Sequence, residues 1–398
     1  ITGKNFFFRI IVEILFFLWI FVACFDKNYR PRKSPILIAL TATLFFLTLA
    51  TFFGVNPYRS FWSNYERMEG LISHLHLFTY FLILISVFRK EKDWKWFFWD
   101  LLGVSFIVTV YSFLQRFGVF AVHQGDIRLD ATFGNATYLA IFLVFHLFLI
   151  CFLFIRTKNW FIRSGLMSLF FLEFVIIFLT ATRGAILGLF GGALFFALLM
   201  SIFTKNKKLR YGMLGFFAVL LLLISLFLIF KNSGFVQNNF VLARFAGISF
   251  SEKTVTSRFT IWKMSFQGFL EKPFLGWGPE NYNIVFNKYY QPELWKQEPW
   301  FDRSHNIFFD WLISAGILGS LAYWSIFGAA VFVVLKLRRK KYFTLTESGL
   351  FFALFVAYIF HNFFVFDNIT SYFMFFSILV YFHFSYARPH DTEEQENF

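Results

Sequence analysis

The chain has 398 residues, of which 58% are hydrophobic, 24% are aromatic and only 15% are charged, and its formal net charge is +14. Soluble domains carry roughly 25% charged residues, so this composition excludes an ordinary soluble protein and indicates a polytopic membrane protein. The two cysteines, Cys24 and Cys151, lie within apolar stretches, which excludes a disulfide framework. A positive charge of this size would also be typical of a protein that binds nucleic acid. The positions of the charges along the chain decide between that class and a membrane protein.

Apolar stretches that are long enough to cross a bilayer as helices, which takes about 20 residues, recur along the whole chain. Eleven are found, at residues 6–25, 35–53, 70–88, 96–115, 136–155, 165–181, 184–203, 213–230, 307–335, 349–366 and 370–387. The predicted fold is therefore all-α, a polytopic transmembrane helix bundle in a single domain over residues 1–398. The short turn at 180–184 makes the sixth and seventh spans a hairpin, and Gly316 and Gly319 predict a bend in the ninth.

Lysine and arginine are concentrated in every second connection between these spans, beginning with the connection after the first span. By the positive-inside rule these connections face the cytoplasm, which accounts for the net charge without nucleic acid. The first residue of the chain would then lie on the outer face. A twelfth span upstream of Ile1 would bring both ends inside, with a short cytoplasmic tail at 388–398.

The longest outward-facing connection runs from residue 231 to residue 306. Loops longer than about 12–15 residues are usually functional or disordered, and this one has the composition of a folded segment. Residues 257–270 form an amphipathic helical pattern, and residues 273–281 predict a rigid turn with aromatic walls. The sequence therefore predicts a long, partly helical outer loop between the eighth and ninth spans. Its aromatic rings make a glycan one candidate ligand.

The last five residues of this loop, Asp302-Arg303-Ser304-His305-Asn306, bring ionisable groups to the mouth of the ninth span. Such groups are costly near lipid, so they are candidates for a functional site. Ser304 is the predicted N-cap of a helix that starts at His305, where the positive end of the helix dipole favours a neutral imidazole. A neutral imidazole can act as a general base toward a hydroxyl. The alternative is that His305 only makes a hydrogen bond across the loop.

Arginines on the predicted outer face form a second set of candidates. Arg258 opens the amphipathic helix, and Arg183 lies in the hairpin turn, where the positive-inside rule does not require a cation. Guanidinium groups bind phosphate oxygens in a bidentate manner, so two convergent arginines predict a site for a phosphate-bearing substrate. Arg67 and Arg128 are further candidates for the same pocket. For Arg183 the alternative is snorkelling to the membrane interface.

Metal-ligand spacings and Gly-rich phosphate loops do not occur in the sequence, so neither a metal cofactor nor ATP is predicted. Two other classes of membrane protein would also use arginines. A transporter or flippase of lipid-linked glycans would line a central cavity with them, commonly within inverted repeats, and no such repeat is found. A non-catalytic scaffold that binds glycolipid would tolerate substitution of His305 and Arg258.

Three short motifs occur on the predicted outer face. They are Arg183 with Leu187, Arg258 with Trp262, Gly276 and Gly278, and His305-Asn306 with Gly316 and Gly319. Together with the segment 128–135, they resemble the motifs of the O-antigen ligase family. That family shares its core with the O-antigen polymerases and some protein O-oligosaccharyltransferases. The similarity runs from about residue 30 to residue 385 and includes the position of the long outer loop.

The resemblance implies a GT-C-like architecture and a metal-independent, inverting glycosyltransferase whose donor is an undecaprenyl-diphosphate-linked glycan. It implies catalytic roles for Arg183 and Arg258, which would hold the donor diphosphate, and for His305, which would activate the acceptor hydroxyl. The remaining candidates are substrate-binding residues, namely Arg67, Arg128, Asn135, Trp262, Asn281, Arg303 and Asn306.

The same resemblance implies an integral protein of the bacterial inner membrane, with the active loop facing the periplasm or the cell exterior. It leaves open whether the acceptor hydroxyl belongs to a glycan, a lipid or a protein. Ligase, polymerase and protein-directed transferase share these motifs because they share the donor. The His-Asn and Gly-x-x-Gly element favours the ligase.

Overall fold

The computed structural model describes residues 2–123, 127–249, 252–296 and 300–387, and every regular element in these ranges is a helix. The α-helices are α1 (Thr2–Phe25), α2 (Pro35–Phe52), α3 (Pro57–Trp62), α4 (Leu71–Val87), α5 (Glu91–Arg116), α6 (Ala136–Arg156), α7 (Trp160–Leu179), α8 (Arg183–Phe203), α9 (Lys207–Phe230), α10 (Gly234–Gln237), α11 (Phe240–Ala246), α12 (Lys253–Glu271), α13 (Tyr282–Lys288), α14 (Ile307–Arg339), α15 (Leu345–Asn362) and α16 (Ile369–Ala387). The all-α prediction is confirmed. The predicted tail at 388–398 lies outside the described residues.

Nine helices in the described ranges are long and apolar enough to cross a membrane, namely α1, α2, α5, α6, α7, α8, α9, α14 and α16. Helix α4 is a shorter apolar helix, and α15 covers most of the tenth predicted span. The protein is a polytopic helical membrane protein, as predicted. The tenth predicted span, 349–366, ends too late, because Asn362 closes α15 and its Nδ2 donates to Asp367 Oδ1 at 2.8 Å.

Several helices begin at residues that the sequence marks as caps. The Ser34 hydroxyl accepts from the Leu37 amide at 3.1 Å, and Pro35 follows at the first position of α2. Asn135 caps α6, with its Oδ1 accepting from the Thr137 amide at 2.8 Å. Helix α8 begins at Arg183 directly after a turn in which Ala181 has φ 49°. The predicted hairpin of the sixth and seventh spans is therefore the pair α7 and α8.

The described residues divide into two compact units. Unit 1 comprises those within Ile1–Lys90, Phe250–Val333 and Asn362–His390, and unit 2 comprises those within Glu91–Ser249 and Val334–His361. Loop 231–306 contributes α10 and α11 to unit 2 and α12 and α13 to unit 1. In unit 2 the most buried candidate span is α6, which packs against α5, α7 and α8. The single transmembrane domain over 1–398 stays a prediction.

In unit 1 the second half of the outer loop has an apolar core of its own. The predicted amphipathic helix is confirmed as α12, and its Ile261 and Met264 are fully buried. They pack with Trp277, Tyr282, Val285, Phe286, Leu294, Phe301 and Ile313. Burying one large apolar side chain contributes about 1.5–3 kcal/mol, so this core stabilises the loop. The rings of Trp277 and Tyr282 are core residues and do not form an open aromatic wall.

The predicted bend in the ninth span is confirmed at Gly316, which interrupts α14 with φ 62°. The turn before α13 lies against this bend, because Ile317 N donates to Pro273 O at 2.8 Å and Trp277 N donates to Ile313 O at 2.7 Å. A Cβ on Gly316 would lie 2.3 Å from the Phe274 carbonyl carbon, so only glycine fits. The outer loop is thereby fixed to the start of α14.

Candidate functional site

The helix that follows the polar segment begins at Ile307, and Asn306 caps it. Asn306 Oδ1 accepts from the amides of Phe308 at 2.9 Å and Phe309 at 3.3 Å. The Ser304 hydroxyl instead donates to the Asn306 carbonyl at 2.9 Å. The prediction that Ser304 caps a helix starting at His305 is therefore wrong. The Asn306 side chain reaches the first free amides, and its Nδ2 is held by the Phe363 carbonyl at 3.1 Å.

His305 lies just outside this helix, with a backbone φ of 51°. Its ring meets two phenylalanine rings edge-on, with centroid distances of 5.4 Å to Phe301 and 5.2 Å to Phe366. Its ring nitrogens make no hydrogen bond to any of the described residues. The imidazole is held by ring contacts while its nitrogens stay available for an incoming group.

Burial and nearby cations keep the His305 ring neutral. Burial is the largest cause, followed by the positive charge of Arg258, and together they lower the pKa of His305 to about 4. Asp302 opposes this shift, and Arg67 and Arg303 add to it. Both desolvation and a like charge disfavour the imidazolium. The neutral form of the imidazole is thus favoured by burial and by Arg258, whereas the sequence suggested the helix dipole as its cause. The role of His305 as a base stays a prediction.

Arg258 and Trp262 lie one turn apart at the start of α12, in the same unit as His305. The guanidinium carbon of Arg258 lies 5.7 Å from the ring centroid of Phe364. Trp262 packs edge-on against Phe363, with a centroid distance of 5.3 Å, and its Nε1 is buried without a hydrogen bond to the described residues. The structure therefore brings two of the three predicted catalytic residues, Arg258 and His305, into electrostatic contact.

Arg67, a predicted substrate-binding residue, is paired with the polar segment itself. Its Nε and Nη2 donate to the two carboxylate oxygens of Asp302, with 2.8 Å between Nη2 and Oδ1. Burial alone would lower the pKa of Arg67, but the hydrogen bond and charge of Asp302 outweigh it and raise that pKa. The same pair lowers the pKa of Asp302 against the opposing effect of burial. A bidentate pair of this kind fixes geometry.

Arg303 is surrounded by three carboxylates, and these four residues are called the Arg303 cluster. Arg303 Nη2 lies 3.0 Å from Glu69 Oε2 and 2.8 Å from Glu280 Oε1, and Nη1 lies 2.8 Å from Asp310 Oδ2. Each of the four side chains is at most 11% exposed. Burial, together with the charge of Glu280, raises the pKa of Glu69 to about 7, although Arg303 acts against it. Carboxylates outnumber the guanidinium in this cluster.

Asn281 is buried and holds the turn before α13 to α3. Its Nδ2 donates to Ser60 Oγ at 3.0 Å and to the Trp277 carbonyl at 2.9 Å. Asn135, in unit 2, uses its side-chain oxygen to cap α6. The three predicted substrate-binding asparagines, these two and Asn306, therefore each make hydrogen bonds within the fold.

A separate group of arginines, called the basic cluster, lies in unit 2 and consists of Arg128, Arg183 and Arg244. Arg128 Nε donates to the Thr180 carbonyl at 2.9 Å, and Nη2 donates to Thr182 Oγ1 at 3.1 Å. These bonds hold Arg128 at the turn that leads into Arg183, the first residue of α8. Burial, then Arg244, then Arg183 lower the pKa of Arg128 to about 10.

Arg244 is the one member of the basic cluster that the sequence analysis did not select. It lies on α11, whose sequence is otherwise apolar, within the predicted outer loop. A lone arginine on the predicted outer face was the signal that selected Arg183, and the same signal applies to Arg244. The positive charges of Arg244 and Arg183 both act on the guanidinium of Arg128.

Comparison with known proteins shows which family part of the chain resembles. Residues 168–324 match the family model described as O-antigen ligase, and this range contains Arg183, Arg258 and His305. The resemblance that the motifs indicated is confirmed over this range. Part of this polytopic helical membrane protein is therefore similar to the O-antigen ligases.

One similar protein is the ComP-specific O-oligosaccharyltransferase of Acinetobacter baylyi (strain ATCC 33305 / BD413 / ADP1). It is 25% identical to this chain over 234 residues, which cover 56% of this chain and 39% of that protein. The matched part thus spans well under half of the relative's length.

Proposed function

We propose that this protein is a membrane glycosyltransferase that moves a glycan from an undecaprenyl-diphosphate carrier to an acceptor hydroxyl on the outer face of the membrane. The observation that carries this proposal is the placement of His305 at the end of the polar segment, where its ring meets those of Phe301 and Phe366 edge-on and its nitrogens make no hydrogen bond to the described residues. A neutral imidazole with available nitrogens can accept the proton of an attacking hydroxyl. The match of residues 168–324 to O-antigen ligase supports the same reaction.

In the proposed reaction His305 takes the proton of the acceptor hydroxyl while the acceptor oxygen attacks the anomeric carbon of the donor. The bond between that carbon and the diphosphate oxygen breaks, so undecaprenyl diphosphate leaves and the configuration inverts. Arg258 and Arg183 are assigned to the diphosphate, where negative charge develops in the transition state. Guanidinium groups supply this countercharge without a metal ion. The family resemblance carries the assignment of Arg183, and the charges of Arg128 and Arg244 near it support anion binding.

The acceptor separates the candidate functions within this class. The O-antigen ligase match favours a lipid-linked or glycan hydroxyl. Similarity to a ComP-specific O-oligosaccharyltransferase supports a second candidate, which is transfer to a protein hydroxyl. An O-antigen polymerase would use the same donor and a glycan acceptor. The basic connections of the sequence favour a periplasmic or external position for loop 231–306 in a bacterial inner membrane.

The test is transfer activity in membranes, measured in EDTA with a defined undecaprenyl-diphosphate glycan and three acceptors, namely a lipid-linked core oligosaccharide, a glycan and a protein. We expect metal-independent release of undecaprenyl diphosphate with one of these acceptors. We expect its loss in His305→Asn, Arg258→Gln and Arg183→Gln. Donor that is moved across the bilayer without glycan transfer would instead identify a flippase.

A further inference from the structure

His305 has a backbone conformation that a residue with a Cβ rarely adopts. Its φ of 51° lies in the left-handed region, which is unfavourable for a residue other than glycine. Such a conformation persists only where the surrounding structure holds it, and it is concentrated at functional sites. The contacts on either side of His305 show what holds it.

Three residues of the polar segment around His305 are bonded to other parts of unit 1. Asp302 pairs with Arg67, and Asn306 Nδ2 donates to the Phe363 carbonyl. Arg303 binds Glu69 just before α4, Glu280 just before α13 and Asp310 in the first turn of α14. A single guanidinium therefore joins three segments of unit 1 two residues before His305.

Phe366 connects these contacts to the imidazole ring. Its buried ring lies 4.6 Å from the guanidinium carbon of Arg67 and 5.4 Å from that of Arg303, measured to the ring centroid. The His305 ring meets the same ring edge-on at 5.2 Å. Cations are attracted to an aromatic face, so both arginines and His305 are fixed relative to one ring.

We propose that Arg303 and Phe366 are positioning residues that hold His305 in its reactive orientation and that Arg303 does not bind the substrate. This inference rests on the proposed role of His305 as the base. Both Nη atoms of Arg303 are engaged with carboxylates. Three carboxyl groups already surround this guanidinium, so it is not open to a donor diphosphate. This proposal differs from the prediction that Arg303 binds substrate, because here Arg303 acts on the reaction only through His305.

The test compares kcat and the donor KM of Arg303→Lys and Phe366→Leu with those of the wild type. Lysine keeps the charge but cannot bridge three carboxylates with a planar fork, and leucine keeps an apolar side chain without the ring. A displacement of about 1 Å at a catalytic group costs about 100-fold in rate, so we expect kcat to fall by about 100-fold. We expect the donor KM to stay within about twofold, because no substrate contact is lost. The acid limb of the pH–kcat profile should not move in Arg303→Lys, since the positive charge near His305 remains.

Arg156 provides a matched control in unit 2. Its Nε lies 2.6 Å from Glu347 Oε1, and its guanidinium carbon lies 4.6 Å from the Phe152 ring centroid. Arg156→Lys therefore disturbs a buried arginine, a carboxylate and an aromatic ring outside the proposed site, and it should leave kcat unchanged.

Each other outcome has a definite meaning. Wild-type kcat in both Arg303→Lys and Phe366→Leu would overturn the positioning role. A raised donor KM at unchanged kcat would make Arg303 a substrate ligand and would overturn it too. If Arg303→Lys does not fold, Phe366→Leu decides alone. If His305→Asn still transfers glycan, His305 is not the base and the proposed function itself fails. If His305→Asn is inactive but Arg303→Lys and Phe366→Leu keep the wild-type kcat, only the positioning role fails.

Discussion

Arginines from the predicted outer face meet opposite surroundings in the two units. Arg67 and Arg303 in unit 1 are bonded to carboxylates that are themselves largely buried. Arg128 in unit 2 is bonded to a carbonyl and a hydroxyl and feels the positive charges of Arg183 and Arg244. An arginine matched by buried carboxylates fixes the fold, whereas an arginine beside other positive charges is a proposed ligand for an anion. The neighbours, and not the residue type, separate structural from ligand-binding arginines.

The largest loss of transfer activity is expected for substitution of His305, the residue that Arg303 is proposed to position without a direct hydrogen bond. His305→Asn should lower transfer by about 10²–10⁴-fold, the usual contribution of a general base. Asparagine adopts positive φ more readily than alanine, so the loss is attributable to the imidazole and not to the backbone. The measurement is turnover at saturating donor, with donor binding as the control for folding. Retained turnover would show that the unit 1 arginines hold something other than a catalytic base.

The next largest effect tests the basic cluster as an anion site. Arg183→Gln should lower kcat/KM for the undecaprenyl-diphosphate donor by about 10²–10³-fold, the cost of losing one preorganised partner of the developing charge. Arg244→Gln should act in the same direction with a smaller magnitude. Arg163 is a suitable control, since it donates to the Phe154 carbonyl at 3.3 Å and stacks over the Phe154 ring. If Arg163→Gln lowers kcat/KM as much as Arg183→Gln and Arg244→Gln do, the basic cluster has no special role in donor binding.

The pH dependence of transfer distinguishes Arg258, whose charge acts on His305, from Arg67 and Arg303, which are bonded to carboxylates. The active form of His305 is neutral and its pKa in the free protein is about 4, so kcat/KM should be flat from neutral pH to about pH 5 and fall below it. Arg258 is the second-largest cause of the lowered pKa, after burial. Removing its charge in Arg258→Gln should raise that pKa and move the acid limb toward higher pH. The midpoint of the limb is the measured quantity, whatever the height of the plateau, and an unmoved midpoint would contradict the electrostatic contact.

The helices were predictable from the sequence because apolar length is a local property. Each of the eleven predicted stretches corresponds to a helix of the described chain, and the glycine pair in the ninth correctly predicted its bend. The hairpin at Arg183 was predictable for the same reason, since too few residues join α7 to α8 for any other connection. These features depend on residues that are neighbours along the chain.

The roles of the polar side chains depended on residues far apart in sequence, and so they were not predictable. Arg303 was predicted to bind substrate, and the partners that support its proposed positioning role, Glu69 and Glu280, come from distant segments. Ser304 and Asn306 are both good N-caps, and the Phe363 carbonyl, 57 positions away, selects Asn306. Arg244 was missed although its sequence context matched that of Arg183. Long-range pairing decides which polar residue serves the fold and which stays available to a ligand.

The smallest effect tests this distinction at Asn306, a predicted substrate-binding residue that is 1% exposed and caps α14. Asn306→Ala removes the acceptor for two amides and should lower the free energy of unfolding by about 1 kcal/mol, as for other N-caps. Asn306→Asp keeps that acceptor and suits the positive helix end, so it should lose only the bond to the Phe363 carbonyl. Unfolding in mixed micelles gives both values, and the donor KM is measured on the same samples. A structural cap predicts lost stability with an unchanged KM. Unchanged stability with a raised KM would show that Asn306, unlike Arg303, contacts the substrate after all.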